Sequence, residues 1–511
     1  NAFTGSHATV VGYGAADVAT SATFLTAVGR NAAGGLLTGL GNTALGYQAL
    51  MFADGAEARN TSVGTFAGRF CDGTDDCIAI GFGALSGVNP SYYSDGDTAN
   101  ATKPTGNQNI AIGSYAMDAM TSGADNVALG HNALTAFTGS NATAVGSGAM
   151  GAATSAGYST AVGMSALGAV IDGVSNTAIG VASMGLLTDT HYNTAMGHGS
   201  GYSCDGTSNV YLGYNAGFYA TTADNCIAIG HNALAGPSVA KATANFNHAI
   251  GSSALASITS GANNIAIGGY ALGSSTTGNA NTAIGGSGMY NCVTGANNTS
   301  VGHNAGEKLL ASNNAAVGAS AMKYATLNDH CVAIGSSALI GAATQAVTCT
   351  LVAIGDATIT CSSTAHINVG HSVTGTGIPA GATVASINAG TGGASVTSFE
   401  LSAVATANGS QSITFASNTG DYNIAIGSYT LDATTSGSGN VAVGHQALTA
   451  LTTGVHNVAI GQAALDAIDV ENFNVAIGYS ALGAETSGAA GCVAIGGYAL
   501  QSQNVASANN T

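Results

Sequence analysis

Few residues in this chain can do chemistry, and they sit at repeated places. Among 511 residues there are 12 His, 9 Cys and 24 Asp plus Glu, against only 7 Lys plus Arg and no Trp. Five histidines (His131, His198, His231, His303 and His445) each directly follow the glycine of one recurring motif. A stacked metal ladder would use histidine in that way. No two adjacent copies of the motif carry His there, and the position also holds Tyr, Ser, Thr, Phe, Gly and Gln, so it reads as an exposed, tolerant site. Cys71, Cys204 and Cys292 lie seven residues after a motif glycine, and Cys77, Cys226, Cys331 and Cys492 lie four before one. Cys71 and Cys77 flank the turn 72–76 and are candidates for a disulfide, as are Cys349 and Cys361. Cys226, Cys331 and Cys492 read as small, buried free thiols. There is no Cys-x-x-Cys pair, so no zinc or other metal site is expected.

A nucleophilic triad needs a base and an orienting acid. Ser and His are too abundant here to single out a set, and the acidic residues are scattered singly on turns. The Gly-x-Gly occurrences lack the following Lys of a phosphate loop and read as corners. The chain is therefore expected to be no enzyme, with no catalytic residues and no cofactor. Of seven Asn-x-Ser/Thr sequons, Asn100 and Asn408 are the better glycosylation candidates because they lie in insertions. The extra loop near 87–106 carries Tyr92, Tyr93, Asp95 and Asp97, groups that hold sugar or calcium, although a solvated loop is the simpler reading. Calcium-binding solenoids repeat Gly-Asp in every coil, which this chain does not.

The elements that must position these groups come from a repeat. The motif Asn-Thr/Val-Ala-Ile/Val-Gly-x-x-Ala-Leu recurs in 24 copies, most often 17 residues apart. The residue before the glycine is apolar in all 24, and the position four before it is Asn in 16 and Cys in 4. Ala stands three after the glycine in 20 copies, and the position four after the glycine is Leu or Met in 18. Three steps are longer: Gly81 to Gly113, Gly230 to Gly251 and Gly335 to Gly427. The β-branched, glycine-rich wording and the absence of a 3.6-residue stripe predict strands rather than helices. Each repeat then reads as one coil of a parallel β-solenoid, a β-roll of about 24 coils, with two short strands and two turns. Asn176, Asn193, Asn209, Asn247, Asn264 and Asn281 are expected to stack as a side-chain amide ladder. Both faces of the Ala-Ile strand look apolar, and a coil can hide only one. The other face is expected to pack on a second copy, as in a trimer.

The solenoid is expected over 1–346 and again over 418–511. Residues 347–417 hide a different module, whose alternating apolar and small polar residues predict a small inserted β-sandwich. Both termini fall in mid-repeat without a polar capping coil, which suits either a segment of a longer protein or end-to-end stacking into a filament.

Asn176-Thr-Ala-Ile-Gly180, Asn281-Thr-Ala-Ile-Gly285, Asn457-Val-Ala-Ile-Gly461 and the stretch 42–50 (NTALGYQAL) resemble the head repeats of YadA-like trimeric autotransporter adhesins. They resemble the repeat regions of phage tail fibres more closely. The resemblance covers about four-fifths of the chain. It implies a left-handed parallel β-roll, usually trimeric, on an adhesin or a virion fibre. The chain departs from both families: its period is longer than that of the adhesin heads, and no heptad stalk, C-terminal barrel anchor or C-terminal self-cleaving domain is expected within these 511 residues.

Charge and composition narrow the partners. A formal net charge of −17 argues against nucleic acid. No apolar run approaches a membrane span. The expectation is a structural protein of an extracellular fibre or filament, with itself as partner. The alternative is an adhesin or tail-fibre shaft that binds host-surface glycans.

Overall fold

The structure, a computed structural model, describes residues 5–53, 55–87, 103–237, 243–325, 328–340, 378–379, 420–483 and 490–501, with the backbone of six strands between 346 and 415. The chain forms two compact units, Asn1–Ser252 and Ser253–Thr511. The first holds fourteen three-residue solenoid strands, Thr9–Val11 through His248–Ile250, and the second holds ten such solenoid strands, Ile265–Ile267 through Val332–Ile334 and Ile424–Ile426 through Val493–Ile495. No helix occurs among the described residues.

Within each unit, neighbouring strands pair in parallel with equivalent residues opposite each other. Thr177, Ala178 and Ile179 face Thr194, Ala195 and Met196, and Val458, Ala459 and Ile460 face Val475, Ala476 and Ile477. The fold is a parallel β-solenoid of about 24 coils with a repeat near 17 residues.

Each coil holds one strand, where two were expected. After the strand the motif glycine takes φ near 135°, a value open to glycine, and the residues two and four further on lie in the left-handed region. In the coil of Gly130 these are Asn132 (φ 55°) and Leu134 (φ 50°). Backbone bonding between coils continues through this limb: Ala33 N–H donates to Ala49 O at 2.9 Å, and Gly35 N–H to Met51 O at 2.7 Å. Alternating handedness turns successive amides up and down the stack, so the limb bonds to both neighbours without extended geometry. A left-handed Leu costs on the order of 1 kcal/mol, which the stacked neighbours must offset. The glycine is needed for space as well as for φ: a Cβ on Gly213 would lie 2.7 Å from Gly230 O in the next coil.

The core is thin. The central Ala of the strand points inward, as Ala27, Ala178 and Ala459 do, and meets the Ala-Leu limb, where Ala133, Leu134, Ala464 and Leu465 are fully buried. The Ile/Val column just before the glycine is not part of this core. It points outward and is half-exposed, because small Ala suits the narrow interior and the strand alternates faces. One coil breaks the size rule and is compensated. Tyr211 replaces the inward Ala and is fully buried. Gly201 and Gly217 replace Leu in its own coil and the coil before, and a Cβ on either would strike the tyrosine ring.

Between the coils of Val332–Ile334 and Ile424–Ile426, which pair directly, six antiparallel strands are inserted. They form one sheet in the order Val373–Gly375, Gly409–Phe415, Ala346–Leu351, Thr358–Cys361, Ser398–Leu401, Val384–Asn388. The expected sandwich needs a second facing sheet, which is not among the described pairings. No helix of the described residues is long and apolar enough to cross a membrane.

Candidate functional site

The polar groups converge on columns along the stack. The first is the Asn column. Asn176 Oδ1 accepts the backbone N–H of Asn193 at 3.0 Å, and Asn193 Oδ1 accepts that of Asn209 at 3.0 Å. Each Nδ2 donates to a turn carbonyl of the next coil: Asn176 to Thr190 O (2.8 Å), Asn193 to Gly206 O (2.9 Å) and Asn209 to Ala223 O (2.7 Å). Asn264 and Asn281 repeat this, bonding Gly278 O and Gly295 O, and Asn281 N–H donates to Asn264 Oδ1 at 2.9 Å. The expected amide-to-amide bond also occurs, for example Asn193 Nδ2 to Asn176 Oδ1 at 3.3 Å. The stronger links, however, run from side chain to backbone. All six named asparagines are buried, Asn247 included.

A second column went unseen in the sequence. The residue six before the glycine accepts the N–H of its counterpart one coil earlier. Asp75 takes it from Ala58, Asp224 from Thr207, Asp329 from Ser312 and Asn279 from Ala262, each at 2.7 Å. His191 does the same through Nδ1 for Val174 at 3.0 Å. Asp, Asn, Ser and His share only acceptor capacity, so no single residue type marked the column.

The candidate Cys71–Cys77 bridge is not formed, and both are free, buried thiols. Each sulfur is engaged elsewhere. Cys71 Sγ donates to Leu85 O at 3.4 Å, while Cys77 Sγ donates to Asp75 O at 3.4 Å and Gly106 O at 3.5 Å. Cys204, Cys226, Cys292, Cys331 and Cys492 are also free and buried. Burial pushes the thiols of Cys204, Cys226, Cys292 and Cys331 up to about 11, and raises those of Cys71 and Cys77 as well. Such thiols are protonated at neutral pH and make poor nucleophiles. Cys349 and Cys361 stand directly opposite each other on paired antiparallel strands. Asn100, Asn408, Tyr92, Tyr93, Asp95 and Asp97 lie outside the described residues.

The five motif histidines are exposed. Several stack on rings rather than converge on a ligand: His198, Tyr214 and His231 form a pile with centroids 5.3 and 5.4 Å apart. No group of three or more His, Cys, Asp or Glu able to hold a metal occurs among the described residues. A cavity of about 290 Å³ lined by Tyr13, Gly14, Asp17, Asn31, Gly34 and Met51 offers one acid without a base or nucleophile beside it.

The most extensive feature is the outer face of the strands. In the second unit Ile267, Ile284, Val301, Ile334, Ile426, Ile460 and Ile477 are each 36–42% exposed, Val317 and Val443 between them are partly buried, and Ile495 is 69% exposed. No Lys, Arg, Asp or Glu stands at either outward strand position in any of the 24 motif copies. A scan against protein-family models found no match, and neither did a search of the curated proteins.

Proposed function

We propose that the chain is a structural protein that builds an extracellular fibre or filament from stacked β-coils, with further copies of itself as partners. The copies would meet laterally, as in a trimer, or end to end. The observation that carries this reading is the uncovered outer strand face, free of Lys, Arg, Asp and Glu over ten coils of the second unit and fourteen of the first, with Ile, Val, Leu or Met just before every motif glycine. Ten coils with two half-exposed side chains each offer on the order of 1,000 Å², comparable to what one partner contributes to a standard stable interface. A structural role also suits a molecule whose polar groups are spent on holding coil to coil.

Light scattering and electron microscopy test it. The expected result is a mass that is a multiple of 49.1 kDa, with rods or threads in the images. The double substitution Ile284→Lys with Ile460→Lys should shift the mass towards one chain without altering the circular dichroism. A monodisperse wild-type monomer would defeat the proposal. The second reading, a shaft that binds host-surface glycans, draws on the exposed rings at the corner before the Asn column, such as Tyr158, Tyr192 and Tyr422. Binding on a glycan array that is lost when these three are changed to Ala would favour it.

A further inference from the structure

Three of the four Cys residues of the Asn column are not scattered, the fourth being Cys492 in the last motif copy. Each of the three long steps follows a coil that carries Cys in this column: Cys77 before the step to Gly113, Cys226 before the step to Gly251, and Cys331 before the step to Gly427. Elsewhere before a described coil the column holds Asn, or in the coils of Gly12, Gly29, Gly146 and Gly163 a residue other than Cys.

The geometry at the three junctions is the same. The sulfur replaces both functions of the amide. As acceptor it takes the N–H of the returning asparagine: Asn109 to Cys77 at 3.5 Å, Asn247 to Cys226 at 3.4 Å and Asn423 to Cys331 at 3.3 Å. As donor it reaches the turn carbonyl of the returning coil: Gly106 at 3.5 Å, Ala244 at 3.4 Å and Gly420 at 3.4 Å. A thiol has no carbonyl oxygen to offer the next amide. In uninterrupted stretches Asn126, Asn298, Asn440 and Asn457 each send an Nδ2 hydrogen back to the preceding Oδ1. At the junctions that hydrogen goes to the coil's own turn instead: Asn109 to Gly106 O (2.9 Å), Asn247 to Ala244 O (3.1 Å) and Asn423 to Gly420 O (3.0 Å).

We propose that Cys77, Cys226 and Cys331 are register clamps that let the solenoid resume after an inserted segment. A coil that follows directly on its neighbour is held in register by a short connection. A coil that returns after a long excursion has no such guide, and a one-residue slip would turn its inward face outward. The cysteine leaves the returning asparagine free to close its own turn, so that coil arrives preformed, and the sulfur then fixes it to the stack. The three junctions are thereby the places where the fold accepts foreign segments.

The test is amide hydrogen exchange on the full chain with Cys331→Asn, a substitution that restores the residue most coils carry. The expected result is at least tenfold faster exchange at residues 420–424, with residues 458–460 unchanged. Cys331→Ser, which keeps a small donor and acceptor, should stay within threefold of wild type. A second measurement removes residues 343–417, the 75 residues by which this step of 92 exceeds 17. In that chain Cys331→Asn should slow exchange at the junction, reversing its sign. Unchanged exchange at 420–424 in the full-chain variant, or the same sign in both chains, would overturn the proposal.

Discussion

Tyr211 occupies a position that is Ala in 20 of the 24 coils, and the core tolerates it because Leu has become Gly at 201 and 217. The three residues should behave as one volume. Tyr211→Ala alone is expected to cost about 3–5 kcal/mol, as an aromatic deletion that leaves a cavity does. Adding Gly201→Leu and Gly217→Leu should recover most of it, since Leu elsewhere accepts the same left-handed backbone. Denaturant unfolding of the single and triple variants checks this, and a triple variant no better than Tyr211→Ala would refute it. Asp432 gives a pH effect. Burial raises its carboxyl from the usual 3.8 to about 6. The folded chain therefore binds a proton more tightly than the unfolded one, and stability falls as pH rises from about 4 through 6. Asp432→Asn should stabilise by about 1 kcal/mol at pH 7.5, after allowance for partial exposure, and have little effect at pH 4. Urea midpoints at the two pH values decide it.

At the level of the coil, the asparagine column is the element's main tie. Removing Asn193 leaves the buried Asn209 N–H without its acceptor and the Gly206 carbonyl with only the weak Cys204 thiol as donor. Asn193→Ala should cost about 3 kcal/mol. Asn193→Cys, a residue the column already uses, should cost less than half as much in the same unfolding assay. The period, the parallel stacking and this column were legible because glycine, Asn and the Ala-Leu pair recur at fixed offsets. The direction of each strand side chain was not. Ala and Ile are both apolar, so polarity carries no inside-outside signal, and only size separates them in so thin a core. The left-handed limb was hidden as well, since Leu134 and Met184 are residues that ordinarily avoid positive φ. Cys71 and Cys77 looked like a bridge from six-residue spacing alone, but each thiol is held by carbonyls of its own surroundings. In the inserted sheet, by contrast, Cys349 and Cys361 are cross-strand partners. Paired Cα atoms at about 4.5–5.5 Å suit a disulfide, so intact mass before and after reduction should differ by two hydrogens.

For the molecule as a whole, the sequence carries a net charge of −17 beside an outer strand face free of Lys, Arg, Asp and Glu. Copies that meet through that face must overcome their mutual repulsion, which salt screens over about 10 Å at 0.1 M. Association should therefore strengthen as salt rises from 10 to 150 mM, the reverse of an ion-paired interface, and sedimentation across that range will show it. The same stack also sets how the protein would yield to a pull. Among the described residues of each unit, bonds between coils run to the two neighbouring coils, so a unit drawn from one end peels rather than shears. Each yielding coil would surrender its 17 residues at once, lengthening the tether by about 50 Å. A single stretched molecule would then trace a sawtooth of small, evenly spaced drops, with wider gaps where the cysteine-marked junctions release their longer loops.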